Sequence, residues 1–361
     1  MRNVSRFFAA SLLIVCAAVA SPQGAAADEI DRLIEQGRYR LARTRLEAVV
    51  AARPNDAREQ ARLAGLLQQF GELDRAAAAG EKAVALAPND AQAHWALASV
   101  LGEKAQKAGT LQQLGLARRF KKEAERAAEL DPKHFDSRIG LMVFHLEAPG
   151  IVGGDKKQAK ALRDQIVALD PARAWQARSR FAAESRDTHA LAAIYREAVK
   201  QNPRDYSAHI TLASYLSPPW RSERGETERV AREALAIDPE RSAAYALLAQ
   251  VLANQKRWDE LDALLAEAAA KFPDGRGPQY QAARVTLQFD AEAARSEKWL
   301  RYYLAVPPEP GSPTHAAARW RLAQAIEKQG RRDEAIAELK AAVALDPKFE
   351  PARKELKRLK S

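Results

Sequence analysis

The stretch "QQFGELDRAAAAGEKAVALAPND" (68–90) returns, with its spacing intact, as "EKQGRRDEAIAELKAAVALDPKF" (327–349). Two further copies are "IEQGRYRLARTRLEAVVAARPND" (34–56) and "ANQKRWDELDALLAEAAAKFPDG" (253–275). Gly37, Gly71 and Gly330 each stand 17 residues before a proline (Pro54, Pro88, Pro347), and Lys256 takes the glycine's place before Pro273. Five residues after that position come Ala42, Ala76, Ala335 and Leu261, and seven further on come Val49, Ala83, Ala342 and Ala268. Each copy makes the same physical statement. A helix ends at glycine, which takes the left-handed conformation that closes a helix. A second helix follows, with small residues where two helices touch closely. Proline, which has no N–H to donate, then stops it.

The closing prolines form a series through the chain: Pro54, Pro88, Pro132, Pro171, Pro203, Pro239, Pro273, Pro307 and Pro347. Their spacings are 34, 44, 39, 32, 36, 34, 34 and 40, so 34 is the base period. A 34-residue helix–turn–helix of this kind resembles the tetratricopeptide repeat (TPR) family. The resemblance covers nearly all of residues 28–360. First helices show large-then-small pairs at Leu63-Ala64, Leu97-Ala98, Leu212-Ala213, Leu248-Ala249 and Leu322-Ala323, with Met142 departing after Leu141. The unit at 276–307 lacks a clear turn glycine. The implied fold is all-α, a solenoid of about nine units closed by "PARKELKRLKS" as a C-terminal capping helix. Composition agrees. Hydrophobic residues are 47%, charged 29% and aromatic only 7%, with alanine throughout, which favours close-packed helices over strands.

Residues 1–27 read as a secretory signal, followed by a repeat domain over 28–361. Arg2 and Arg6 precede an apolar run from Phe7 to Ala20, and small-residue exits end at Ala20 and at Ala27. Cleavage after Ala27 is the preferred expectation because it leaves a polar start at Asp28. The 14-residue apolar run is short against the roughly 20 residues that span a bilayer. The expected location is therefore periplasmic or secreted. Cys16 is the only cysteine, so the chain after the leader can form no disulfide and no thiolate metal site.

Three insertions break the period. "APGIVGGDKKQA" (148–159) has three glycines, yet Gly154 is followed by Asp155 and Lys157 by Gln158, so the Lys-hydroxyl pair of a phosphate loop is missing. Counting 17 back from Pro171 lands on Gly154, which makes the stretch a lengthened turn between two helices. The third unit carries ten extra residues, expected to lengthen its turn and second helix. The sixth carries "SPPWRSERGE" (217–226), which is expected to expose Trp220. Insertions in a solenoid map to loops, often on a binding face.

Catalytic chemistry is not assembled anywhere. None of His94, His134, His145, His189, His209 and His315 forms a metal-ligand pair by spacing, and no nucleophile elbow is present. His94 and His209 fall at the same repeat position, which points to packing. No cofactor and no enzyme activity are expected. In TPR proteins that bind peptides, the resemblance implies a concave groove lined by first helices. The matching positions here include Trp95, Ser99, Arg173, Gln176, Arg180, Gln250, Asn254, Trp320 and Gln324. The Lys/Asn pair of chaperone-tail binders is absent, since the second unit offers Ala61 and Gly65 instead. The expected role is an exported scaffold that binds a protein or peptide partner. The alternative is a basic surface adaptor for polyanions, drawn from the net charge of +10, although acids and bases are interleaved.

Overall fold

The computed structural model describes residues 22–184, 187–218 and 224–361. Among them stand nineteen α-helices and no strand. They pair as the repeats require. The first units are α1 (Pro22–Glu35) with α2 (Tyr39–Ala52), and α3 (Ala57–Gln69) with α4 (Leu73–Leu86). Next come α5 (Ala91–Lys107) with α6 (Thr110–Leu130), and α7 (Phe135–Glu147) with α8 (Lys156–Leu169). The middle units are α9 (Ala174–Glu184) with α10 (Thr188–Gln201), and α11 (Tyr206–Leu216) with α12 (Arg224–Ile237). The last are α13 (Ser242–Asn254) with α14 (Trp258–Lys271), α15 (Gly277–Thr286) with α16 (Ala293–Leu304), and α17 (His315–Glu327) with α18 (Arg332–Leu345). The cap is α19 (Glu350–Lys360), which buries Ala352 and Leu359 and ties back through Arg358 to Glu327. Of the expected leader, residues 1–21 lie outside the described residues, and α1 begins at Pro22.

The small residues sit where the helices meet. Ala42, Ala76, Ala83, Ala335 and Ala342 are all fully buried, and Met142, the departure from the pattern, is buried among Phe135, Ile166 and Ala177. Turn glycines 37, 71 and 330 have φ of 79°, 71° and 78°, and Lys256, in the glycine's place, has φ of 58°. Lys256 is the one non-glycine with positive φ among the described residues. Gly71 has open space around its missing Cβ, so only backbone conformation opposes a side chain there. Gly71→Ala is therefore expected to lower stability by about 1 kcal/mol in urea unfolding. A neutral result would mean that the turn relaxes out of the left-handed region.

A tie to the closing prolines also recurs. The side chain six residues after the proline returns to the proline's carbonyl: Gln60 to Pro54 at 2.9 Å, His94 to Pro88 at 3.0 Å and Arg138 to Pro132 at 2.8 Å. His209 donates to the Asp205 carbonyl instead, at 2.8 Å. These side chains satisfy backbone carbonyls left over at the unit boundary.

Two sequence expectations need correction. The third unit's extra residues lengthen both of its helices and leave only Ala108 and Gly109 between them, so its turn is not extended. In the fourth unit the left-handed glycine is Gly153 (φ 95°), not Gly154. Gly154 is needed for another reason: a Cβ there would stand 1.8 Å from the Ala148 carbonyl oxygen. Asp155 then caps α8 by accepting from the backbone N–H of Lys157 and Gln158.

The array coils far enough to meet itself. The turn between α1 and α2 reaches the loops that precede α13, α15 and α17. Arg38 Nε donates to both carboxylate oxygens of Asp274 (2.9 and 3.0 Å), and the Arg40 backbone N–H donates to Glu309 Oε2 at 3.0 Å. Arg241 donates to the Glu35 carbonyl at 3.1 Å, and Ser242 Oγ to that of Gln36 at 3.3 Å. A cavity of about 50 Å³ remains in this seam, between Gly37, Ser242 and Glu309.

Candidate protein-binding groove

A groove of about 820 Å³ runs over the first helices of units two to five. Gln68 comes from α3, Trp95 and Ser99 from α5, Ile139 and Val143 from α7, and Arg180 from α9. First helices face this side because their small residues are turned into the helix contacts, which leaves one stripe free. Ser99 and Gln68 tie α5 to α3 through two hydrogen bonds, of 3.0 and 3.3 Å. Part of the groove wall is apolar, where Phe120 of α6 stacks on Phe144 of α7 with ring centres 5.6 Å apart, and Glu103, Lys107, Asp136 and Glu147 add charge to the rest.

The two insertions build the rim. Gln113 and Leu114 of the lengthened α6 and Pro149 and Val152 of the 148–155 loop all line the groove. Beside them stand the most exposed large apolar side chains of the described residues, Leu111 (88%) and Ile151 (76%). A single exposed leucine is ordinary. Leu111 and Ile151 both stand within two residues of side chains that line the groove, and exposed apolar surface gathered beside a groove is the kind of patch that marks an interaction site.

Trp95 serves packing and surface together. Its six-membered ring edge abuts Gly140 of α7, where a Cβ would come within 2.5 Å of it, and the side chain also lines the groove. Glycine in a helix interior costs about 1 kcal/mol against alanine, so Gly140 stands there for this close approach.

The other expected site residues scatter along the array. Arg180 shares the groove with Trp95. Arg173 lies over the Phe135 ring at 3.8 Å and pairs with Asp136 at 3.1 Å, while Gln176 accepts from Ser179 Oγ through its carbonyl. Gln250 and Asn254 border a small recess of about 20 Å³ by Leu216 and Thr227, far from Trp95 in the array. Trp320 meets Phe349 at the root of the cap, 5.8 Å between ring centres, and its indole N–H is buried without a partner among the described residues. Trp220 lies outside the described residues. Sequence reasoning missed Gly140 and Phe120. The mid-helix glycine in "RIGLM" was the available signal for the first.

Many charges bridge neighbouring units. Arg43 pairs with Glu72, Arg75 with Glu47, Lys104 with Asp74, Arg257 with Glu228 and Arg301 with Glu334. The interleaving of acids and bases in the sequence thus becomes a lattice of inter-helix pairs, each of small individual worth. Among the described residues no three or more His, Asp or Glu side chains gather as a metal would need, and no helix is long and apolar enough to cross a membrane.

Residues 291–348 match the model of the tetratricopeptide repeat family, and residues 27–167 match that of regulator of microtubule dynamics proteins 1–3. No curated protein matches the chain. Similar solved structures include a thermophilic TPR protein of Thermus thermophilus, 20% identical, covering 53% of this chain and 97% of its own, with a TM-score of 0.47. Yeast Tom70 is 14% identical over 93% of this chain and 87% of its own, with a TM-score of 0.46. The APC/C Cut9–Hcn1 hetero-tetramer supplies a chain 12% identical over 94% and 90%, with a TM-score of 0.40. Residues 291–348 thus carry the tetratricopeptide repeat, and with its helix pairs, left-handed turn residues and buried small positions the described chain has the fold of an all-α solenoid of such repeats, ending in a capping helix.

Proposed function

We propose that this chain is a protein-binding scaffold whose principal site is the apolar groove over α3, α5, α7 and α9. The observation that carries the reading is that groove together with the exposed Leu111 and Ile151, which stand within two residues of side chains that line it. Its mechanism is passive: a preformed surface takes an extended or helical segment, and no group in it is arranged for bond-making. The match over residues 27–167 spans nearly all of the groove's walls, which supports treating this half of the array as the recognition half.

Export belongs to the same reading. The leader-like start would deliver the scaffold to the periplasm or beyond, and N-terminal sequencing of exported material should begin at Asp28. Retention of Met1 would sink that part alone.

The groove is tested by capture from an extract of the source cells, with mass spectrometry of what is held. Proteins retained by the parent should be lost by at least about tenfold when Leu111→Ser and Ile151→Ser are combined, since apolar anchors dominate such contacts. The melting curve should stay put, because exposed positions change stability by no more than about 0.5 kcal/mol. Gly140→Ala should act in the same direction by pushing the Trp95 ring out of place. Equal capture by all three proteins would overturn the groove reading.

A further inference from the structure

The concave stripe changes character toward its C-terminal end. Ser99, Gln250, Arg284 and Gln324 each follow a buried pair on a first helix: Leu97-Ala98, Leu248-Ala249, Ala282-Ala283 and Leu322-Ala323. Arg284 on α15 donates from Nε to Gln281 Oε1 at 3.0 Å and from Nη2 to Gln250 Oε1 at 2.7 Å. Arg321, one first helix further on, donates from Nη1 to Gln324 Oε1 at 3.1 Å and lies over the Trp320 ring at 4.1 Å. Its Nε is buried with no partner among the described residues. Every acceptor is a neutral amide, and neither guanidinium has a carboxylate among the described residues.

The acids around the same recess are already engaged. Glu327 and Glu355 both receive Arg358, at 2.5 and 2.8 Å, and Lys328 is held by Asp290. The two arginines therefore border a space of about 310 Å³ with their charge unanswered. Burial first, and the Arg321 charge second, push the Arg284 pKa down. Such like-charge opposition in half-buried surroundings is unfavourable until an anion enters. Many other arginines that bridge units meet acids, as Arg257 does with Glu228, although some, such as Arg126 on Asn89, meet neutral groups.

We propose that Arg284 and Arg321 together receive a carboxylate, that of an aspartate or glutamate side chain in a protein segment lying along the concave face. The proposal rests on the protein-binding reading and puts the segment's acidic residue at units eight and nine, apart from the apolar groove. The chemistry is selective. A guanidinium fork matches the two oxygens of a carboxylate, whereas a neutral amide would leave both cations without a counter-ion. The Gln250 and Gln281 amides fix the Arg284 fork in advance, so little side-chain freedom is lost on binding.

The test is fluorescence anisotropy with a short fluorescein-labelled oligoglutamate, against an oligoglutamine of equal length. The parent should bind the first and not the second. Arg284→Gln and Arg321→Gln should each weaken binding at least about tenfold, the scale of a charge-assisted forked contact. Arg353→Gln, at an exposed cation near Glu350, should leave affinity unchanged. Equal losses in all three variants would reduce the effect to diffuse attraction by a basic protein and overturn the proposal. So would equal binding of the two peptides. Arg321→Gln guards against misfolding of the more deeply set Arg284 variant, and circular dichroism of both should match the parent. Should groove-captured proteins bind both arginine variants as they bind the parent while oligoglutamate is ignored, this inference fails and the groove reading stands.

Discussion

Tyr245→Ala is expected to cost about 3–5 kcal/mol of stability, the usual range for truncating a buried aromatic. Tyr245 has no exposed surface, and its ring meets Phe272 edge-on with centres 5.6 Å apart. Its hydroxyl donates to Glu267 Oε1 at 2.7 Å, with the Pro239 carbonyl 3.3 Å away. Burial, then the Glu267 carboxylate, pushes that hydroxyl's pKa up, so it stays protonated and keeps donating. Two things are thus lost at once: packing and a charge-assisted hydrogen bond. Tyr245→Phe separates them, since it keeps the ring and should cost only about 1–3 kcal/mol. Each unit in such an array leans on its neighbours, so the truncation should open the seventh unit and those beside it before the rest. The check is urea unfolding followed by helical circular dichroism, with hydrogen exchange over 239–272 locating the opening. A cost under about 1 kcal/mol for Tyr245→Ala would mean that this unit does not hold its neighbours.

Much of this was legible in the residues because the repeat states its own geometry. Gly37, Gly71 and Gly330 announce left-handed turns, and the register they set even picks out Lys256 as a residue forced into the same conformation. The alanines named by spacing are the buried ones. What escaped was whatever the repeat does not encode. The ten extra residues of the third unit read partly as a longer turn because an insertion has no periodicity of its own; the longer second helix holds, but alanine and leucine let α5 run on as well and leave the turn short. Arg284 escaped because its unit lacks the turn glycine that fixes register. The seam escaped altogether: meeting between residues 38 and 274 depends on small rotations accumulated over many units, and no local pattern records their sum. The groove lies between these cases. Trp95 and Arg180 were named from their positions, whereas the rim comes from the two insertions, whose placement only the fold supplies.

The seam should loosen as pH rises through neutrality. Glu309 is 8% exposed, with Oε2 accepting from the Arg40 N–H and Oε1 buried without a partner among the described residues. Burial pushes its pKa up to about 7, and the nearby Asp274 charge adds to this, while the backbone N–H and the charge of Arg40 act against it. Other charges also border the seam: Arg38 is tied to Asp274, and Arg276 lines the same cavity. An acid whose folded pKa exceeds its unfolded value binds more protons when folded, so its contribution favours the closed seam at low pH. That contribution is fully present below about pH 4.5, the ordinary value, and is lost as pH climbs through about 7. Its size is on the order of 2 kcal/mol once the solvent that still reaches the group is allowed for. Residues 36–42 should therefore show stronger protection from hydrogen exchange at pH 5 than at pH 8, after correction for intrinsic rates. Glu309→Gln keeps an acceptor for Arg40 and removes the charge, so it should hold the pH 5 behaviour at both values. The difference would be about thirtyfold in the opening equilibrium, large enough to see in exchange of the Arg40 amide itself. Equal protection of the parent at the two pH values, or a pH dependence that survives Glu309→Gln, would show that the carboxyl is not what governs closure of the array.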